Sequence, residues 1–149
     1  MGFSKLLVAT DGSPGGDEAV RLAADVAVRM QIDVVLLHVY ETAPAFVAGF
    51  EQPMALEVND ALESAARRVV KMAEEILADK GVTAASSRCV GGHVPSMILD
   101  VADSEGVDLI VLGHRGHGLS RFLLGSVADR VSHHAECAVL LAAPPESEG

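Results

Sequence analysis

Aromatic residues are nearly missing from this sequence: 149 residues include no Trp, one Tyr and four Phe. Any core must be built from Val, Leu, Ile, Ala and Met, and single-stranded nucleic acid finds no stacking platform. Positive charge is also scarce. Lys and Arg total 11 against 21 Asp and Glu, a formal charge of −10, whereas nucleic-acid affinity comes from cations that neutralise phosphates. No apolar run approaches the ~20 residues that span a bilayer. The opening Met1–Lys5 lacks a charged n-region, a long apolar stretch and a small-residue cleavage site, so no signal peptide is expected. Neither nucleic acid nor a membrane is an expected partner. The two cysteines, Cys89 and Cys137, fall in predicted strands. They read as buried, reduced thiols of a cytoplasmic protein rather than as a disulfide.

What is present is apolar: half of the residues, which excludes a disordered chain. The length suits one domain, read as residues 1–143, with 144–149 as a frayed tail. Four segments are short, continuous and apolar: Lys5–Thr10, Asp33–Tyr40, Asp108–Leu112 and Ala138–Ala142. Unbroken apolar strands are what a parallel sheet covered on both faces requires. A fifth strand, Thr83–Val90, is polar enough for an edge.

Helical periods lie between them. In Gly16–Gln31, Ala19, Leu22, Ala23, Val26, Ala27 and Met30 recur at helical spacing, with charged residues opposite. In Asn59–Lys80 the stripe is Leu62, Ala66, Val69, Ala73, Ile76 and Leu77, and Gly81 provides the stop. Pro95–Glu105 and Ser126–Ala135 complete the set, with Met30, Met72 and Met97 as core fillers. Residues 41–58 hold two Pro and no period and read as a long loop. Strands alternating with helices predict an α/β fold, a doubly wound open parallel sheet of Rossmann-like type.

In such a sheet ligands bind beyond the carboxyl ends of the strands, where strand order reverses. Candidate loops follow the first strand (Asp11–Gly16), the second (His38–Tyr40) and the fourth (Gly113–Ser126). The last is glycine-rich and ends on Gly125-Ser126 at a predicted helix start, where backbone N–H groups can meet an anion. It lies in one of two long acid-free stretches, Leu109–Ala128, which carries Arg115 and Arg121; the other, Lys80–Leu99, carries Lys80 and Arg88. A phosphate cradle and a plain surface loop with turn glycines both remain open on this loop alone. Neither a P-loop nor G-x-G-x-x-G is present. Ser13 can also be a helix cap, and His38 a hydrogen-bonded structural residue. His114-x2-His117 has no Cys or Asp partner nearby for a metal, and no nucleophile–base triad spacing is found.

Val8-Ala9-Thr10-Asp11-Gly12-Ser13, Leu37-His38-Val39 and Asp108-Leu109-Ile110-Val111-Leu112-Gly113, with Gly113-x2-Gly116 followed by Gly125-Ser126-Val127, resemble the universal stress protein family over about residues 3–143. The resemblance is to its ATP-binding subgroup, whose motif is G-x2-G-x9-G-[ST]. Here eight residues rather than nine separate Gly116 from Gly125, and Pro95 stands one residue later than is common. The resemblance implies strand order 3-2-1-4-5, a homodimer through the last strand (Ala138–Ala142), and ATP at the switch point. AMP and cyclic AMP are related candidates. Asp11, with the backbone of Ala9 and Thr10, would face the adenosine end and Val39 the adenine. Gly113, Gly116, Gly125 and Ser126 would hold the phosphates, with Val127 beside them, and Ser13, Leu112 and Arg115 complete the expected ATP-binding set. Mg²⁺ would come with the phosphates, with Asp11 a candidate ligand. The expected function is a nucleotide-gated regulator in stress response, with an unidentified protein partner. The alternatives are a dimeric scaffold that binds no nucleotide, or a slow ATPase.

Overall fold

Strands that are apolar on both faces are satisfied only between two layers of helix, and that is their setting here. The structure, a computed structural model, describes residues 2–42, 52–114 and 124–144. In chain order its elements are β1 (Lys5–Ala9), α1 (Pro14–Met30), β2 (Asp33–Tyr40), α2 (Gln52–Asp79), β3 (Ser86–Gly91), α3 (Val94–Glu105), β4 (Leu109–Gly113), α4 (Ser126–His134) and β5 (Ala138–Ala142). The strands form one all-parallel sheet in the order β3-β2-β1-β4-β5, as expected.

Alternate strand residues feed two cores. Leu6, Val8, Leu36 and Val111 pack under α1 and α2 against Ala19, Ala23, Ala73 and Leu77. Leu7, Val35, Leu37 and Ile110 pack under α3 and α4 against Ile98, Val101, Ala128 and Val131. α1 begins on Ser13, whose hydroxyl accepts the Gly16 N–H, with Pro14 at the first position, where its missing N–H costs nothing. Among the described residues no helix is long and apolar enough to cross a membrane.

Several expectations need correction. α2 starts at Gln52, so the second part of the presumed 41–58 loop is helical; residues 43–51 lie outside the described residues. Pro53 misled, because a Pro in the first turn sits where backbone N–H groups have no partner anyway. Met54 and Leu56 are exposed and so break the periodic signal. β3 begins at Ser86 rather than Thr83. Met72 and Met30 are 65% and 43% exposed and fill no core. Cys89 and Cys137 are free thiols but half-buried rather than buried, and Cys137 precedes β5 instead of lying in it. Partial burial pushes both thiols up from their ordinary value, away from the reactive thiolate. The presumed tail lies outside the described residues from Pro145 onward.

At the amino end of the sheet Asp108 ties β1 to β4. Its carboxylate accepts the Ser4 N–H at 2.7 Å, the Ser4 hydroxyl at 2.8 Å and the Lys5 N–H at 3.1 Å. These bonds, the Ser4 backbone bond first, hold its carboxyl below the usual aspartate value. A depressed folded pKa adds stability that is present at neutral pH and is lost as pH falls through it. Asp108→Asn should therefore melt below wild type at pH 7. The gap should shrink as pH drops below the ordinary aspartate value of 3.8, read by circular dichroism melts stepped into acid. A gap that stays constant with pH would contradict this role.

Candidate functional site

β1 and β4 are neighbours, yet β1 leads to α1 on one face of the sheet and β4 to α4 on the other. The connections diverge, and a cleft of about 400 Å³ opens over the carboxyl ends of the strands. That is the topological switch point, and the volume falls within the range of small-molecule sites, roughly 300–1,000 Å³.

The wall is built from six elements. Ala9, Thr10 and Asp11 come from the end of β1 and Gly16 from α1. Val39 comes from β2, Val94 and Ile98 from α3. Leu112 and Gly113 come from β4, and Gly125, Ser126, Val127 and Ala128 from the start of α4. Nine of the twelve residues singled out in the sequence thus meet in one cleft. Ser13 does not join the wall; it is buried and its hydroxyl serves the α1 cap. Arg115 and Gly116 lie outside the described residues, as does most of the loop to which they belong.

Val94, Ile98 and Ala128 were missed, and Gly16 was named only as part of the Asp11–Gly16 loop. Val94 and Ile98 stand four apart at the start of a helix and so share a face, a signal that was legible. Gly16 required tertiary information. A Cβ there would come within 2.8 Å of Asp11 Oδ1, and a Cβ on Gly113 would come within 2.9 Å of the Gly15 carbonyl oxygen. Gly113 thus lets β4 approach the start of α1, and Gly16 lets the β1–α1 turn fold back on Thr10 and Asp11.

The β1–α1 turn is knitted internally. The Thr10 hydroxyl accepts the Gly12 N–H at 3.1 Å, and Asp11 Oδ1 accepts the Ser13 N–H at 2.9 Å and also the Ser13 hydroxyl. Asp11 is therefore held by its own turn while lining the cleft, and it is the one ionisable side chain in the described wall. Behind it, half-burial raises the Asp17 carboxyl; Arg21 opposes this, and the charges of Asp11 and Glu18 add to it. The α1 start is thus closed by Ser13 and crowded with negative charge.

The α4 start also has an acid in its first turn, Asp129, but differs in its cap. Its cap, Gly125, makes no side-chain capping bond. The first intrahelical bond runs from Asp129 N–H to the Gly125 carbonyl at 2.9 Å, so the amides of Ser126, Val127 and Ala128 have no acceptor within the helix. Two further bonds, Gly125 N–H to His114 O at 3.0 Å and His114 N–H to Ala142 O at 3.1 Å, pin this helix start to β4 and β5. Among the described residues, His114 Nδ1 is buried without a hydrogen-bond partner. Of the two helix starts at the cleft, α4 is the one without a side-chain cap, an arrangement suited to an anion. Among the described residues no three His, Cys, Asp or Glu side chains are grouped so as to hold a metal ion.

Comparison with known proteins agrees with this architecture. The family model described as the universal stress protein family matches residues 2–143. Universal stress protein A homolog 1 of Coxiella burnetii is 33% identical over 142 residues, covering 94% of this chain and 96% of the relative. The solved universal stress protein UspA from Lactobacillus plantarum superposes with a TM-score of 0.82 at 24% identity, covering 95% of this chain and 99% of that one. A universal stress protein solved in complex with cAMP superposes with a TM-score of 0.72 at 24% identity, covering 97% and 100%.

Proposed function

Because the chain belongs to the universal stress protein family, and because its cleft ends on an uncapped helix start, we propose that it binds an adenine nucleotide at the switch point and acts as a nucleotide-gated regulator. The observation that carries the reading is the contrast between the two helix starts: α1 closed by Ser13, α4 open into the same cleft.

The wall is graded in polarity. Val39, Val94, Ile98 and Leu112 offer an apolar slot for a flat base, where burial contributes roughly 25 cal/mol per Å². The Asp11 carboxylate suits ribose hydroxyls, which donate hydrogen bonds to it. The amides of Ser126, Val127 and Ala128, with the Ser126 hydroxyl, suit phosphate oxygens. No cation lines the described wall, so Mg²⁺ brought by the nucleotide would supply the charge a triphosphate needs. A related protein of this fold holds cAMP, in keeping with an adenine-sized slot. With Asp11 the one ionisable group in the described wall, these residues support binding rather than turnover, and any hydrolysis would be slow.

Two further parts of the reading are proposals of the same kind. Among the described residues β5 (Ala138–Ala142) is the edge strand of the sheet, its middle residues half-buried; an apolar edge strand of this sort pairs readily with a second copy. The protein would work in the cytoplasm, with nucleotide occupancy changing what the dimer presents to a protein partner. Native mass spectrometry of the protein as purified tests the reading. The expected result is a mass increment of one adenine nucleotide per chain, or its appearance when ATP-Mg²⁺ is added at millimolar concentration. Protein that stays ligand-free under both conditions counts against it.

A further inference from the structure

We infer that His38 is a positioning residue for the nucleotide cleft, holding the Thr10 carbonyl so that the β1–α1 turn keeps its ligand-ready shape; this rests on the nucleotide reading above. β1 and β2 pair in register as far as Ala9 and Leu37, and the last rung is the Thr10 N–H to the Leu37 carbonyl at 3.0 Å. The next acceptor, the carbonyl of Thr10, is taken by a side chain instead: His38 Nδ1 lies 2.7 Å from it. A carbonyl only accepts, so Nδ1 carries the proton. Thr10 and His38 are 5% and 8% exposed, and a buried carbonyl left unpaired is costly. The imidazole thus replaces a rung of the ladder at the point where the two strands must part for the cleft to open.

Adjacent residues of β2 then serve the site from opposite faces. Val39 lines the cleft, while His38, on the other face of the strand, fixes the backbone from behind. What it fixes is the anchor of the whole turn. The same Thr10 receives the Gly12 N–H on its hydroxyl, and Asp11 follows directly with its Ser13 bonds. Ala9, Thr10 and Asp11 all line the cleft. Release of the Thr10 carbonyl would loosen these wall residues without touching the ligand itself.

Three variants test this against a role in packing alone. The amide nitrogen of Asn stands one bond from Cγ, as Nδ1 does, whereas that of Gln stands one bond further out. His38→Leu keeps bulk and has no donor. Titration with ATP-Mg²⁺ and with AMP should show His38→Asn within about threefold of wild type. His38→Gln and His38→Leu should bind at least tenfold more weakly. In the ligand-free protein, amide exchange at Asp11, Gly12 and Ser13 should quicken in His38→Gln and His38→Leu but not in His38→Asn, and nitrogen NMR should place the ring proton on Nδ1. If His38→Leu does not fold, the Asn–Gln pair decides. Folded Gln or Leu variants that bind like wild type, or an Asn variant as weak as the Gln variant, would overturn the inference. A wild-type protein that binds neither ligand overturns the nucleotide reading and the affinity claim with it. The exchange comparison then still decides whether His38 holds the turn.

Discussion

Gly125→Val should lower affinity for ATP-Mg²⁺ by at least a hundredfold while leaving the fold in place. Gly125 is buried, lines the cleft and caps α4 with φ −63° and ψ 151°. That backbone is extended and open to any residue, so valine meets no conformational penalty; restricting the unfolded chain offsets part of any crowding by about 0.4–1 kcal/mol. The loss falls on the ligand instead. Three carbons are added to the wall beside the amides of Val127 and Ala128, and a phosphate oxygen held off those donors loses charge-assisted hydrogen bonds of roughly 1.5–3 kcal/mol each. Two such bonds lost correspond to about a hundredfold or more. Titration calorimetry beside a melting curve separates the effects: affinity collapses and the melting temperature moves by a few degrees at most. An unchanged affinity would mean that the anion does not sit at this helix start.

Gly113→Val should act the other way, through the fold. A Cβ on Gly113 would lie 2.9 Å from the Gly15 carbonyl oxygen and 3.1 Å from its carbon. These are backbone atoms at the start of α1, so relief requires moving the helix start or the end of β4 rather than turning a side chain. Overpacking of this kind costs roughly 1–3 kcal/mol, which in a domain of this length lowers the melting temperature by about 2–12 °C. Binding should weaken as well, because Gly113 and Gly16 both line the cleft. Chemical denaturation of the ligand-free protein checks the stability term. A valine variant as stable as wild type would show that the close approach is not tight.

These two glycines show how far the sequence could be read. Both stood out in the same motif, and the resemblance assigned both to phosphate binding. The structure brings both to the cleft but separates them physically, Gly113 by its contact with a neighbouring turn and Gly125 by an uncapped helix start. No one-dimensional pattern distinguishes a glycine that makes room for a ligand from one that makes room for the protein's own backbone. Strands fared better: β2 and β5 match to the residue, each a continuous apolar run with an acid or a Pro within two residues of either end. α2 failed at its start because exposed Met54 and Leu56 carry no amphipathic period. In the site, Ala9 to Asp11 and Leu112 to Gly113 were legible because switch-point geometry places strand ends there whatever the packing details. The shared helix face of Val94 and Ile98 was legible, but that this face and Ala128 enter the wall depends on how α3 and α4 settle on the sheet. His38 was legible as a bonded structural residue, but its partner, the Thr10 carbonyl, appears only where the β1–β2 ladder ends.

The measurement that bears most directly on the central claim is a calorimetric titration of the purified, nucleotide-stripped protein with ATP-Mg²⁺, repeated with AMP and with GTP-Mg²⁺. The account predicts saturable binding of one ATP per chain, weaker binding of AMP for lack of the outer phosphates, and little of GTP. The apolar slot made by Val39, Val94, Ile98 and Leu112 offers the guanine edge no side-chain partner. No saturable heat with ATP-Mg²⁺ at millimolar concentration would contradict it, and so would binding left intact in Gly125→Val.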